Sequence, residues 1–157
     1  MVRIRKARSE DGEGIWRAHT QAICELCKSH YTPEEIAAWA GSLHPESYQG
    51  VIISSEFFVA EDQDRIVGFA QLHRTSGEVE AVYVHPSAAR HGVGKQLLRK
   101  LEERAKANGV PVLHLDASLN AVPFYTDAGY VPQREATHRL QAGLEIPCVV
   151  MMKTITR

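Results

Sequence analysis

Between residues 78 and 116 the chain runs strand, glycine loop, helix, strand, and that order restricts its fold more than any other feature. Val79, Val82, Tyr83 and Val84 are β-branched or aromatic, and the strand they mark, Glu78–Val84, stops before Pro86. Gly92-Val93-Gly94 then opens a run with Leu97, Leu98 and Leu101 at helical spacing, which ends at Asn108-Gly109. Val110–Asp116 reads as the next strand. A crossover of this kind makes its two strands parallel. It also builds an anion site, because unpaired backbone N–H groups and the positive end of the helix dipole converge where glycine lets a ligand approach the main chain. The ligand this implies is a pyrophosphate.

The rest of the chain supplies antiparallel strands and covering helices. Val2–Ala7 alternates as a strand, and Ser9 is placed to cap a helix over about 10–28 with Ile15, Ala18, Ala22, Ile23 and Leu26 on one face. Thr32-Pro33-Glu34-Glu35 is a capping box with proline at the first helical position, so a second helix runs to about Ser42. Pro45–Ile53 reads as a further short helix. Phe57–Glu61 and Ile66–His73 are strands joined across Asp62-Gln63-Asp64-Arg65, and Glu78–Val84 follows after Ser76-Gly77. A short helix over 121–128 and strands over 130–138 and 146–154 complete the order. The fold class expected is α+β: three layers, α/β/α, around a mixed, mostly antiparallel sheet with one central parallel strand pair. At 157 residues, without repeats or linkers, the chain is expected to form a single domain over 1–157.

Which pyrophosphate ligand fits is decided by the loop residues. A P-loop would need glycine where Ala89 stands and a hydroxyl where Gln96 stands. A dinucleotide fingerprint would need a third glycine at Leu97. The stretch Val82-Tyr83-Val84-His85-Pro86 followed by Gly92-Val93-Gly94-Lys95 instead resembles the strand and pyrophosphate loop of the GNAT superfamily of acetyl-CoA-dependent N-acyltransferases. That family's pattern, Gln/Arg-x-x-Gly-x-Gly/Ala, matches Gly92 and Gly94; its first position falls on Ala89, with the basic residue displaced to Arg90. Downstream, Asn120, Phe124-Tyr125 and Gly129-Tyr130 are similar to a second family signature, in the correct order. The segment His30–Ala40 also resembles a poorly characterised bacterial subgroup of the superfamily.

The resemblance implies an N-acetyltransferase with acetyl-CoA as acyl-donor cosubstrate and no metal. It implies that backbone N–H groups of Arg90, His91, Gly92, Val93, Gly94 and Lys95 hold the pyrophosphate. The main chain of Val82, Tyr83 and Val84 would pair with the pantetheine amides, in a gap where the parallel strands splay. Asn120, Phe124 and Tyr125 would line the cofactor, with the Tyr125 hydroxyl at the sulfur as acid and the Val82 N–H at the oxyanion. For the base, strand alternation puts Glu78, Glu80 and Val82 on one face, and Glu80 is the first candidate, ahead of Glu78 or a water. Trp16, His30, Tyr31, Trp39 and His73 are candidates for the acceptor pocket.

Charge and composition narrow the partners. A net charge of −1 gives no global attraction to nucleic acid or an anionic membrane. With 44% hydrophobic residues and no apolar run approaching the ~20 residues of a membrane span, neither a span nor a signal peptide is expected. Three cysteines form no disulfide framework, and Cys24-x-x-Cys27 has no second pair at metal spacing, so a cytoplasmic setting is expected. The expected acceptor is a small-molecule primary amine, with the protein a monomer or homodimer. The alternatives are a peptide or protein N-acetyltransferase and a non-catalytic acyl-CoA-binding module. An open groove with a free β-edge would favour a peptide, and a closed, aromatic or acidic pocket a small amine.

Overall fold

The computed structural model describes residues 1–155 and contains two antiparallel sheets. The first has four strands in chain order, β1 (Val2–Lys6), β2 (Glu56–Asp62), β3 (Arg65–Leu72) and β4 (Val79–Val84). The second sets β7 (Glu145–Thr154) between β5 (Val112–Ser118) and β6 (Val131–Arg139). Five α-helices accompany them: α1 (Gly12–Leu26), α2 (Pro33–Gly41), α3 (Gln49–Ser54), α4 (Val93–Ala107) and α5 (Val122–Asp127). Among the described residues, no helix is long and apolar enough to cross a membrane.

Strand alternation sorts the core into two layers, one on each face of the first sheet. Phe57, Val59 and Phe69 face α1 and α3, where they meet Ile15, Tyr48 and Ile52. Phe58, Ala60, Ala70 and Leu72 face α4, against Leu97, Leu98 and Leu101, and this layer continues into the second sheet through Leu113, Leu115 and Met151. A third cluster, Ile23, Cys27, Tyr31, Trp39, Leu140 and Ile146, ties α1 and α2 to the second sheet. The Tyr31 hydroxyl fastens that cluster, donating to the Pro147 carbonyl at 2.7 Å and accepting from the Leu119 N–H at 3.0 Å.

Local signals hold at the start of α2 and the end of α4. Thr32 Oγ1 accepts from the Glu35 N–H at 3.1 Å and Glu35 Oε1 accepts from the Thr32 N–H at 2.9 Å, the reciprocal capping box. At α1 the expected cap moves: a short 3-10 turn occupies Ser9–Asp11, and Asp11, not Ser9, accepts the Arg8 N–H at 2.7 Å. Asp11 wins because the Arg5 guanidinium clamps it with donors at 2.9 and 3.0 Å. Leu26, expected on the buried face, is exposed where α1 ends.

The expected parallel strand pair is reduced to a single parallel bridge, Glu78 with His114, so the mixed sheet becomes two antiparallel ones that meet at this point. The His114 N–H donates to the Gly77 carbonyl at 3.0 Å, and past that contact β4 and β5 diverge. The divergence has a visible cause. Leu72 pairs with Val79 and Gln71 with Ala81, so Glu80 is an extra residue in β4, a β-bulge that bends the strand away.

Gly77 makes the junction possible. Its φ is +81°, and a side chain there would run into the Val112 carbonyl and, at 2.9 Å, Val110 Cγ1. Gly77→Ala should therefore destabilise the fold by about 2–4 kcal/mol, backbone strain plus overpacking. Gly109→Ala, at φ +75° with nothing within 4 Å, should cost only ~1–2 kcal/mol. Urea unfolding of the two variants checks this; equal losses would mean that the junction is not tightly packed.

Candidate active site

The gap between β4 and β5 is bounded by an unpaired strand edge. His85 donates its N–H to the Val67 carbonyl at 2.7 Å, so positions 85 and 83 are hydrogen-bonded to β3. Alternation then turns the N–H and C=O groups of Val82 and Val84 away from β3, into the gap. Those two residues offer their main chain to an extended amide ligand as a new strand would find it.

The glycine loop sits at the far end of the same strand. Arg90 and Gly92 both adopt left-handed backbone, φ +66° and +82°, which folds the loop into the start of α4. The first intrahelical bond of α4 runs from the Gln96 N–H to the Gly92 carbonyl at 3.1 Å, leaving the N–H groups of Val93, Gly94 and Lys95 without helical partners. The two glycines have different duties. A side chain at Gly92 would meet nothing within 4 Å, so that position is kept by its backbone angle. At Gly94 a Cβ would lie 3.1 Å from Phe124 Cε1 and 3.5 Å from Val84 Cγ2, so Gly94 lets the ends of β4, α4 and α5 pack together.

On α5, the more buried aromatic is Tyr125 rather than Phe124. The helix docks Tyr125 edge-on to Tyr130, with centroids 5.7 Å apart, and leaves Phe124 half-buried beside Gly94. Burial pushes the Tyr125 phenol well up, so it stays a neutral donor through the whole neutral range. Asn120 lies in the turn before α5, and its Oδ1 is buried with no hydrogen-bond partner. A buried acceptor left open is costly unless a ligand donor completes it.

Beyond the bridge, a cavity of about 60 Å³ occupies the opening, lined on the β4 side by Glu78, Val79, Glu80 and Tyr83. Asp116, Ser118, His138, Ile146 and Cys148 come from the second sheet, and Tyr31 and Trp39 close it from the α2 side. The bulge corrects the expected facing of Glu80. It carries Glu80 onto the face of Gln71, Ala81 and Tyr83, not that of Val82, and so into this cavity. Gln71, buried on β3, donates to Glu80 Oε2 at 2.7 Å. Partial burial and, after it, the neighbouring charge of Glu78 push the Glu80 carboxyl up, against the pull of His73 and Gln71. The folded state thus holds this proton more tightly than the unfolded chain, and Glu80 gives up stability as pH rises through the ordinary carboxylate range.

Of the five aromatic and histidine candidates for the acceptor side, Tyr31 and Trp39 line the cavity and three do not. Trp16 donates Nε1–H to the Leu43 carbonyl at 3.0 Å, exposed His30 is engaged with Ser29, and His73 accepts from the Ser76 N–H. Sequence reasoning missed His19, Gln71, Asp116 and His138. His19 had a signal, one helical turn after Ile15 on the buried face of α1. Its ring lies 4.3 Å from that of Tyr83, its Nδ1 is 2.9 Å from the Tyr48 hydroxyl, and burial pushes it down to about 3.

A family profile described as an acetyltransferase (GNAT) domain matches residues 27–154. An uncharacterized N-acetyltransferase of Escherichia coli K12, YafP, is 26% identical over 82% of this chain and 81% of its own length. The crystal structure of a GCN5-related N-acetyltransferase from Rhodopseudomonas palustris superposes with a TM-score of 0.90 at 28% identity, covering 98% of this chain and 95% of that one. PaiA N-acetyltransferase from Thermoplasma acidophilum, solved in complex with coenzyme A, shares the fold at a TM-score of 0.77 and 20% identity, over 99% of both chains.

The Gln71 hydrogen bond favours the charged form of Glu80 and so opposes the rise in its pKa. Gln71→Met should let the Glu80 carboxyl titrate at higher pH than in the native protein, read by carbon-detected NMR of the side chain. An unchanged or lower value would mean that Gln71 does not tune it.

Proposed function

The chain belongs to the GNAT family of acetyltransferases, and we propose that it moves an acetyl group from acetyl-CoA to the primary amine of a small molecule by direct transfer. The observation that carries the choice of acceptor is the cavity itself. It is walled by Tyr31, Trp39 and Tyr83 and acidic, whereas a peptide would need an open groove beside the strand edge.

The residues present fit acetyl-CoA. The N–H groups at the start of α4 and the loop from Arg90 to Lys95 suit a pyrophosphate, and the open edge at Val82 and Val84 suits the amides of its arm. The orphaned Oδ1 of Asn120 suits a donor on the same arm. When bound, acetyl-CoA supplies the activated acyl group as a thioester.

Each remaining task falls to a group of this chain. Glu80, raised toward the working range and placed in the cavity, takes the proton from the acceptor ammonium, directly or through a water. The Val82 N–H, aimed into the gap, stabilises the developing oxyanion. Tyr125, a neutral phenol, donates to the departing thiolate. Cys148 also lines the cavity, but burial, followed by the charge of Asp116, pushes its thiol up, which makes it a poor nucleophile and favours transfer without a covalent enzyme intermediate.

Release of CoA thiol from acetyl-CoA across a library of small amines tests the activity, and Glu80→Gln tests the base. The substitution should lower kcat at neutral pH by ~10²–10⁴-fold while acetyl-CoA affinity stays near native. A loss of less than about threefold would pass the role to Glu78 or to water.

A further inference from the structure

We propose that the acceptor carries a second, permanently positive group beyond its reacting amine, and that Asp116 is the residue that selects for it. This rests on the reading of the cavity as the acceptor site. Past the parallel bridge at Glu78 and His114, Glu80 and Asp116 each lie two residues further along the chain and line the opening from its two sides. A molecule between them has Glu80 on one side, where the chemistry occurs, and a second carboxylate on the other.

The charge on the lining is one-sided. Glu78, Glu80 and Asp116 contribute carboxylates, and among the described residues no lysine or arginine lines the cavity. Arg134 acts on Cys148 from outside the lining. Among the described residues the only basic group in the lining is the His138 imidazole, whose Nδ1 lies 3.0 Å from Asp116 Oδ2. One imidazole thus faces three carboxylates in the lining, and His73 acts on Glu80 from outside it. A simple monoamine brings one positive charge to this field, and an amine bearing a carboxylate or phosphate brings repulsion with it.

The aromatic wall points independently to the same ligand. The rings of Tyr31 and Trp39 meet edge-on at 5.4 Å, and those of Trp39 and Tyr83 at 6.5 Å, and all three border the cavity. Aromatic rings beside carboxylates suit a cation on an alkyl stem, through the carboxylates for the charge and apolar contact for the methylenes. They offer an anionic tail nothing.

Three acceptors with one reactive amine each separate the possibilities: 4-aminobutyl(trimethyl)ammonium, n-butylamine and 4-aminobutanoate, followed by CoA thiol release. The cationic tail should raise kcat/KM by about tenfold or more over n-butylamine, with 4-aminobutanoate the poorest. Asp116→Asn should collapse the ratio of the first two toward one, and Asp116→Glu should keep it. Asp116 is exposed at the strand edge, so both variants keep the core. Equal use of the three amines, a preference for 4-aminobutanoate, or a ratio untouched by Asp116→Asn would overturn the proposal and leave the small-amine reading standing. No thiol release with any amine, while acetyl-CoA still binds, would overturn both.

Discussion

The single parallel bridge between Glu78 and His114 determines where everything else in this molecule can work. A full ladder between β4 and β5 would satisfy the main chain of Val82 and Val84 and close the cavity. No contact at all would leave the two sheets joined only through the core and the covering helices. One bridge, reinforced by the bond from His114 N–H to Gly77, holds the strands together at one end and leaves them open at the other. The open end receives the glycine loop, the Tyr125 helix and the cavity, because α4 and α5 both pack on the layer of core that runs beneath the junction.

The bulge at Glu80 links that architecture to chemistry. One extra residue bends β4 away from β5 and at the same time turns a carboxylate into the space created. The environment then sets the character of that carboxylate: desolvation and Glu78 raise its proton affinity, and Gln71 restrains the rise. Across the opening the second sheet contributes Asp116 and His138, and the tie made by the Tyr31 hydroxyl to Pro147 and Leu119 keeps that sheet in register with the helical cover. Position and proton affinity thus come from the same few contacts.

Much of this was legible in the sequence because it is written in short-range pattern. The glycine loop, the Thr32 capping box, the hairpin after β2 and the order of the elements each follow from residues within one turn or one strand. What was not legible depends on contacts between distant segments. Strand alternation is blind to a bulge, so it set Glu80 beside Val82 when the pairing with β3 sets it beside Gln71. The extent of a parallel ladder depends on where two sheets twist apart, and that reduced an expected strand pair to a bridge. Which of Phe124 and Tyr125 is buried depends on how a six-residue helix docks, and both residue types suit either place. Asp116, His138, Ile146 and Cys148 reach the cavity from three strands of the second sheet, and no spacing in the sequence groups them.

The central claim is that the unpaired edge of β4 is the seat of the acyl donor. Amide hydrogen exchange on adding CoA reads it directly, because the N–H groups of Val82 and Val84 face the gap and have no partner in β3. CoA at saturation should slow exchange at Val82 and Val84 together with the N–H groups of residues 92–95, and leave residues 81 and 83, already bonded to β3, nearly unchanged. Saturating CoA with no added protection at Val82 and Val84 would contradict the account.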